Sequence, residues 1–170
     1  LGSVLKELEH HEKAINYFQR AIQIQPDLID ARLNLGITFK ELGNFKKATE
    51  YFQHVIKIQP SNVKAHQNLI ESYERANKEK DLEEAISNAK NFVKEKNIIK
   101  LYEAVILYNK DKFSEAINFL ESISFDKNDI KNEIRRVDTL ARCYDRINDN
   151  DNAFRYFEIA NSLSPNLMKI

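Results

Sequence analysis

The sequence predicts an all-α protein built from repeated helical hairpins. The first observation is the stretch 30–60, where two runs of residues have apolar positions spaced for 3.6 residues per turn. Between these runs, Gly43 can take the left-handed conformation that ends a helix at low cost. Pro60 stops the second run, because proline lacks an amide hydrogen and clashes with the preceding turn. The stretch therefore reads as two helices joined by a tight turn. Its apolar positions are Leu35, Gly36, Phe39, Ala48, Phe52, Val55 and Ile56.

The second observation is an internal repeat with a period of 34 residues. Such a period indicates an array of stacked units, because each unit buries its apolar face against its neighbours. After residue 61 the same order of a small residue, an aromatic residue and an alanine recurs, but at less regular intervals. The pairs that superpose on a shift of 34 are Gly2 and Gly36, Ala14 and Ala48, Phe18 and Phe52, and Pro26 and Pro60.

This order of a small residue after Leu, an aromatic residue, then Ala, a second aromatic residue and Pro resembles the tetratricopeptide repeat. The resemblance implies a right-handed superhelix of about five helical hairpins, in which the first helix of each hairpin lines a concave groove. It also implies a non-enzymatic protein–protein interaction scaffold that binds a peptide or a partner protein in that groove and needs no cofactor.

We expect a single array over residues 1–170, with units at about 1–27, 28–61, 62–96, 97–127 and 128–165. Both ends look cut from a longer protein, since the chain opens inside a first helix and 166–170 resemble the start of a sixth unit. An uncapped repeat end exposes an apolar face, and this predicts self-association through the ends. In unit one, a turn at His10 and His11 should separate a helical stub from a second helix at 12–24.

The register of units three and four rests on alanine positions. If Ala85 is the counterpart of Ala48, 37 residues earlier, the turn at 76–81 is about three residues longer than in unit two. Ala89 then replaces the aromatic residue of unit two. On this register, unit four comes early, with Ala116 only 31 residues after Ala85.

Composition narrows the class of function. Lys and Arg total 26 and Asp and Glu total 26, so no overall charge favours nucleic acid or an anionic membrane as a partner. No run reaches the roughly 18 apolar residues of a membrane span, and no signal peptide is visible. A single cysteine, Cys143, excludes a disulfide within the chain and fits a cytoplasmic protein. The adjacent pair His10 and His11 has no third ligand nearby, so we expect no metal site.

Two asparagines mark candidate groove positions. Asn34 and Asn68 are one repeat apart and fall on the groove side of their helices. Their carboxamides could hydrogen-bond the backbone of an extended peptide, since each offers a donor and an acceptor. The arrangement resembles the asparagine ladder of the O-linked N-acetylglucosamine transferase superhelix, although Tyr102 and Thr139 interrupt it. The alternative is a pair of solvated polar residues.

Unit four contains a helix at 98–108 that is apolar nearly all round, which is typical of a helix buried on several sides or covering a binding surface. One register places four residues on the groove side as an apolar patch: Leu101, Tyr102, Val105 and Tyr108. A register shifted by one residue turns Leu101, Val105 and Tyr108 inward instead.

Unit five places a basic stripe on its first helix. Arg135, Arg142 and Arg146 return to one face, because 7 and 11 residues are close to whole numbers of turns. Guanidinium groups bind carboxylates in bidentate fashion, and this favours an extended acidic peptide as the partner. The alternative is a surface ion-pair network with Asp138 and Asp145.

A second class of function also stays open. The run 153–161 resembles the last repeat before the catalytic domain in bacterial repeat–sulfotransferase fusions, and the first two units resemble the repeats of glycosyltransferase fusions. On that hypothesis the chain is an accessory module of a larger transferase.

Overall fold

The computed structural model describes the backbone of residues 2–164 and the side chains of residues 10–164. Over this range the chain forms α-helices joined by turns, with no strand, and the all-α prediction is confirmed. The stretch 166–170, expected to open a sixth unit, lies outside the described residues. The helices of the described range are α1 Gly2–Ile24, α2 Ile29–Glu41, α3 Phe45–Ile58, α4 Val63–Arg75, α5 Glu79–Phe92, α6 Lys96–Asn109, α7 Phe113–Glu121, α8 Ile130–Arg146 and α9 Asn150–Leu163.

The chain divides into two compact units, Leu1–Lys94 and Glu95–Ile170. In the first unit, α2–α3 and α4–α5 are helical hairpins, and α1 packs against α2. In the second unit, α6–α7 and α8–α9 are hairpins, and α6 packs against both α7 and α8.

All four hairpin turns share one geometry. Each carries one residue with a positive φ angle, and each is closed by an amide that donates to the carbonyl five residues earlier, as in Asn44 to Phe39 at 2.8 Å. Glycine takes this conformation freely, and asparagine and aspartate take it more readily than other residues. The turn residues are Gly43, Asn77, Asp111 and Asn148.

These turn residues correct the predicted register. Asn77 lies 34 residues after Gly43, and Asp111 lies 34 after Asn77, so the turn of unit three is not longer and unit four is not early. The counterpart of Ala48 is therefore Leu82, not Ala85. The counterpart of Phe52 is Ile86, not Ala89. The three extra residues lie before α8, in the longer connection at 122–129.

The predicted turn at His10 and His11 is wrong. Helix α1 runs without interruption from Gly2 to Ile24, so unit one is a single helix rather than a hairpin. The reason is visible at the turn position, where Glu9 stands one repeat before Gly43. Glutamate favours the helix, and it has no ready access to the left-handed conformation.

Small residues let the helices approach closely. Ala48 and Ala116 are fully buried and Ala153 is nearly so, as expected from the repeat pattern. Ala14 was expected to be buried as well, but it is only half-buried. The difference follows from packing, because α3 lies between α2 and α4 whereas α1 packs against α2.

Candidate functional site

The two asparagines do not form equivalent rungs. Asn34 is exposed on α2. The carboxamide of Asn68 is already engaged, because its Nδ2 donates to the carbonyl of Lys64 at 2.8 Å and its Oδ1 accepts from Lys40 Nζ at 2.6 Å. A peptide backbone would have to displace these partners, so Asn68 is poorly placed to act as a ladder residue.

Lys40 is the centre of a polar cluster that sequence reasoning missed. Its ammonium group donates to Glu71 Oε2 at 2.7 Å as well as to Asn68, and both charged side chains are mostly buried. The cluster ties α2 to α4. Its signal in the sequence is weak, since a lysine near the end of a helix usually extends into solvent. Burial here follows from the neighbouring helix, which supplies the acid.

The apolar patch of unit four is not an exposed surface. Leu101 is 0% exposed and Tyr102 is 2% exposed, so the expectation that both present apolar surface to a partner is wrong. Val105 and Tyr108 are half-buried. Because α6 packs against both α7 and α8, it buries residues on more than one side. The inward register for Leu101 is therefore the one observed.

Tyr102 lies under the basic stripe instead of beside it. The guanidinium carbon of Arg135 lies 4.9 Å from the centroid of the Tyr102 ring, within the range of a cation–π contact. This contact joins α6 to α8 and leaves Arg135 half-buried. Tyr102 thus supports an arginine and does not act as an apolar anchor.

The other two arginines of the stripe are paired at the surface. Arg142 Nε lies 2.9 Å from Asp138 Oδ2, as the ion-pair alternative expected. Arg146 pairs with Asp111 at 3.3 Å rather than with the predicted Asp145, and its guanidinium lies 4.9 Å from the Phe113 ring centroid. The side chains of Arg142 and Arg146 nevertheless keep 58% and 52% of their surface exposed.

A more enclosed ion pair fixes the start of α8. Arg136 binds Glu133 through two short contacts of 2.6 and 2.8 Å, and it also donates to the carbonyl of Leu120 at 3.1 Å. Burial alone would raise the pKa of Glu133, but the hydrogen bonds and charge of Arg136 outweigh it and hold that pKa below its ordinary value. This pair orients the helix that carries the arginine stripe.

Three other kinds of feature can indicate function in the described residues: a metal site, a membrane-spanning helix and a reactive cysteine. No three His, Cys, Asp or Glu side chains converge there to hold a metal ion. No helix in that range is long and apolar enough to cross a membrane. Cys143 is fully buried, and burial raises the pKa of its thiol to about 11. A thiol with such a pKa stays protonated at neutral pH and is a poor nucleophile.

Comparisons with known proteins agree with this architecture. Residues 1–68 match the family model described as tetratricopeptide repeat. No curated protein sequence matches the chain significantly. Among solved structures, a thermophilic TPR protein of Thermus thermophilus is similar with a TM-score of 0.71 and 18% identity, over 97% of this chain and 89% of that chain.

Two further solved structures show the same fold. A crystal structure of MamA has a TM-score of 0.67 and 16% identity, over 100% of this chain and 98% of that one. YrrB, described as a TPR protein with an unusual peptide-binding site, has a TM-score of 0.61 and 13% identity, over 98% and 84%. At these identities the likeness shows the fold, an all-α helical repeat of the tetratricopeptide type. The resemblance to transferase fusions finds no support in these matches and stays a prediction.

Proposed function

We propose that this chain is a non-enzymatic protein-interaction module and that its second unit binds an acidic peptide segment. The proposed site is the α6–α8 face, defined by Val105, Tyr108, Arg135, Arg142 and Arg146. The observation that carries the proposal is the exposure of the Arg142 and Arg146 guanidinium groups, each held by a single surface ion pair. The general role is supported by the repeat fold, and the peptide-binding site named for YrrB supports the type of partner.

The energetics favour exchange of partners at this face. A surface ion pair contributes about 0–1 kcal/mol, because both charges remain solvated and screened. Carboxylates of an incoming peptide can therefore replace Asp138 and Asp111 at little cost. Arginine suits this exchange because its planar guanidinium forms two parallel hydrogen bonds with one carboxylate. Half-buried Val105 and Tyr108 would supply apolar contact beside these charges.

The test is a binding titration with a fluorescein-labelled acidic peptide that carries one central leucine. The double variant Arg142→Gln/Arg146→Gln should weaken binding about three- to tenfold, because two exposed charge contacts are lost. Affinity should also fall as salt rises, since exposed charges are screened over about 8–10 Å at physiological ionic strength. The control for each single variant, Arg142→Gln or Arg146→Gln, is Arg155→Gln, which removes one guanidinium charge from α9, where that group lies 5.8 Å from the Tyr156 ring centroid.

Two results would overturn the proposal. One is unchanged affinity of the Arg142→Gln/Arg146→Gln variant when its circular dichroism matches that of the parent. The other is equal binding of a peptide in which lysines replace the acids. Asn34, on α2, is a further candidate contact in the first unit, and Asn34→Ala tests it with the same peptide.

A further inference from the structure

The first unit contains a cleft that the proposed function does not use. It lies between the α2–α3 turn and the α4–α5 turn and has a volume of about 760 Å³. Its floor is largely apolar, with Leu42, Phe45, Tyr73 and Ala76 among the lining residues. All of these residues belong to Leu1–Lys94, so the cleft shares no residue with the α6–α8 face.

The rim of this cleft is basic. Lys46 and Lys78 line it and are exposed. Arg75 adds a third positive charge, because its guanidinium lies 5.1 Å from the centroid of the lining residue Phe45. Asp81 is the acid among the lining residues. The cleft therefore combines an apolar floor with an excess of positive charge.

The second unit contains the same junction and serves as an internal comparison. There, Arg146 lies 4.9 Å from the Phe113 ring centroid, as Arg75 lies beside Phe45. The tyrosine contact is repeated as well: Tyr144 donates to Glu121 at 2.6 Å, where Gln53 donates to Tyr73 at 2.9 Å. The two junctions thus share their framework contacts.

The junctions differ at several positions, and the rim lysines Lys46 and Lys78 correspond to Ser114 and Asp149. In the second unit the turn residue Asp111 pairs with Arg146. In the first unit the turn residue at that place is Gly43, so the turn offers no carboxylate to Arg75. Ile147 directly follows α8, whereas the smaller Ala76 directly follows α4. The first junction therefore has a smaller side chain at this place and an arginine that no turn carboxylate neutralises.

We propose that the cleft of the first unit is a second docking site, for an acidic peptide segment that places one apolar or aromatic side chain on the floor. Charge complementarity determines this occupant, since carboxylates match the rim formed by Lys46, Lys78 and Arg75. An apolar side chain gains free energy by leaving water for the floor, at roughly 25 cal/mol per Å² of area buried. Aromatic side chains in such pockets commonly dominate binding energy.

An adjoining cleft sets the order of charges along the peptide. It has a volume of about 180 Å³, runs between α3 and α5, and shares Tyr73 and Asp81 with the first cleft. Glu84 also lines it, so this end of the groove is acidic. The acidic residues of the peptide therefore lie at the turn end, by Lys46 and Lys78, and neutral or basic residues follow toward Glu84.

The experiment uses ¹⁵N-labelled protein and a short peptide with two acidic residues, then phenylalanine, then serine and lysine. Its addition should shift the backbone amide signals of Gly43, Ala76 and Lys78. The same peptide with serine for phenylalanine, and one with the charges in reverse order, should bind at least about threefold more weakly. A peptide that shifts only amides of α6 and α8 contradicts this site and leaves the α6–α8 proposal standing.

Variants taken from the second unit give the sharpest test. Gly43→Asp introduces the residue found at position 111, and Ala76→Ile introduces the residue found at position 147. Both types already occupy the equivalent turn places in this chain, so folding should be retained. Each variant should weaken binding about threefold, and the pair about tenfold, because one neutralises Arg75 and the other fills the floor.

Variants that change the charge of the rim should alter the affinity in both directions. Asp81→Asn should strengthen binding, since it removes the acid from the rim, and Lys78→Glu should weaken it. A matched control is Lys57→Glu, which makes the same change near the far end of α3. Arg142→Gln in the other unit should leave these amide shifts unchanged. Full affinity in Gly43→Asp/Ala76→Ile, or equal loss in Lys57→Glu and Lys78→Glu, overturns the proposal.

Discussion

Gly36 on α2 lies directly against the ring of Phe52 on α3. Phe52 is fully buried on α3, and it faces the glycine in the middle of α2. A Cβ atom added at position 36 would lie 2.6 Å from Cε1 of that ring, 3.0 Å from Cδ1 and 3.1 Å from Cζ. Carbon atoms in favourable contact are about 3.5–4.0 Å apart. The substitution Gly36→Ala therefore forces the ring or the helix to move.

Two effects of opposite sign decide the outcome of Gly36→Ala. Alanine in a helix interior is favoured over glycine by about 1 kcal/mol. Overpacking a close contact in a core costs about 1–3 kcal/mol, and a ring that is fully buried has no open space to enter. We expect the clash to outweigh the propensity, so that the free energy of unfolding falls by about 0–2 kcal/mol. If the added methyl group met no neighbour, Gly36→Ala would instead raise the free energy of unfolding by about 1 kcal/mol.

A double-mutant cycle with Phe52→Leu isolates the clash. Leucine removes the ring edge that the new methyl group meets, so Gly36→Ala should be less costly, or stabilising, in that background. We expect a coupling energy of about 1–2 kcal/mol from urea unfolding, which is within the range for residues in contact. Amide hydrogen exchange in α2 and α3 gives the local readout, because stacked repeats need not unfold as one cooperative unit.

The control for this cycle is Gly43→Ala. Gly43 has φ of 72° and no heavy atom within 4 Å of an added Cβ, so its cost of about 1 kcal/mol comes from the backbone alone. It should show no coupling to Phe52→Leu. Stabilisation of the protein by about 1 kcal/mol in Gly36→Ala would contradict close packing at position 36. So would additivity of Gly36→Ala and Phe52→Leu within about 0.5 kcal/mol, because residues in contact should be coupled.

Three further predictions follow from burial. Ala48→Leu should lower the free energy of unfolding by about 1–3 kcal/mol, because Ala48 is fully buried. Ala14→Leu should lower it by less, because Ala14 is only half-buried, and equal shifts of the two melting temperatures would contradict this packing. Burial lowers the pKa of His66 below its ordinary value of 6.5, although its hydrogen bond to the Pro60 carbonyl opposes this. The unfolded chain then binds more protons, so stability should be greatest above pH 6.5 and fall below it, and the slope between pH 7 and 5 should be smaller in His66→Gln. Cys143 should react with a thiol reagent only as fast as the protein opens, and rapid labelling of the native protein would contradict its burial.

Much of the fold was accessible from local sequence signals. The apolar spacing in 30–60 correctly predicted α2 and α3, since both the periodicity and the turn chemistry are properties of residues close together in the chain. The register of unit three was wrong because alanine is common in helices, and Ala85 was a poor marker. Asn77 and Asp111 carry the better signal, since few residue types adopt a positive φ.

The candidate site was less accessible because it depends on neighbouring helices. The expected exposure of Tyr102 failed when Arg135, a residue of the next hairpin, covered its ring. The ion pair of Arg142 with Asp138 was among the expected alternatives, since both residues lie on one helix one turn apart. The partner of Arg146, Asp111, lies 35 residues away, and no local pattern identifies it.

The sequence by itself determined which segments are helical, where most of the turns fall and that the units repeat, because helix periodicity, left-handed turn residues and proline act over a few residues. Only the tertiary structure decided which side chains reach solvent. Lys40 is buried against Glu71, and the junction cleft of the first unit is open. At the corresponding junction of the second unit, Asp111 pairs with Arg146. These outcomes depend on the length and charge of side chains that meet across helices, since burial and ion pairing are properties of the contact and not of either helix alone.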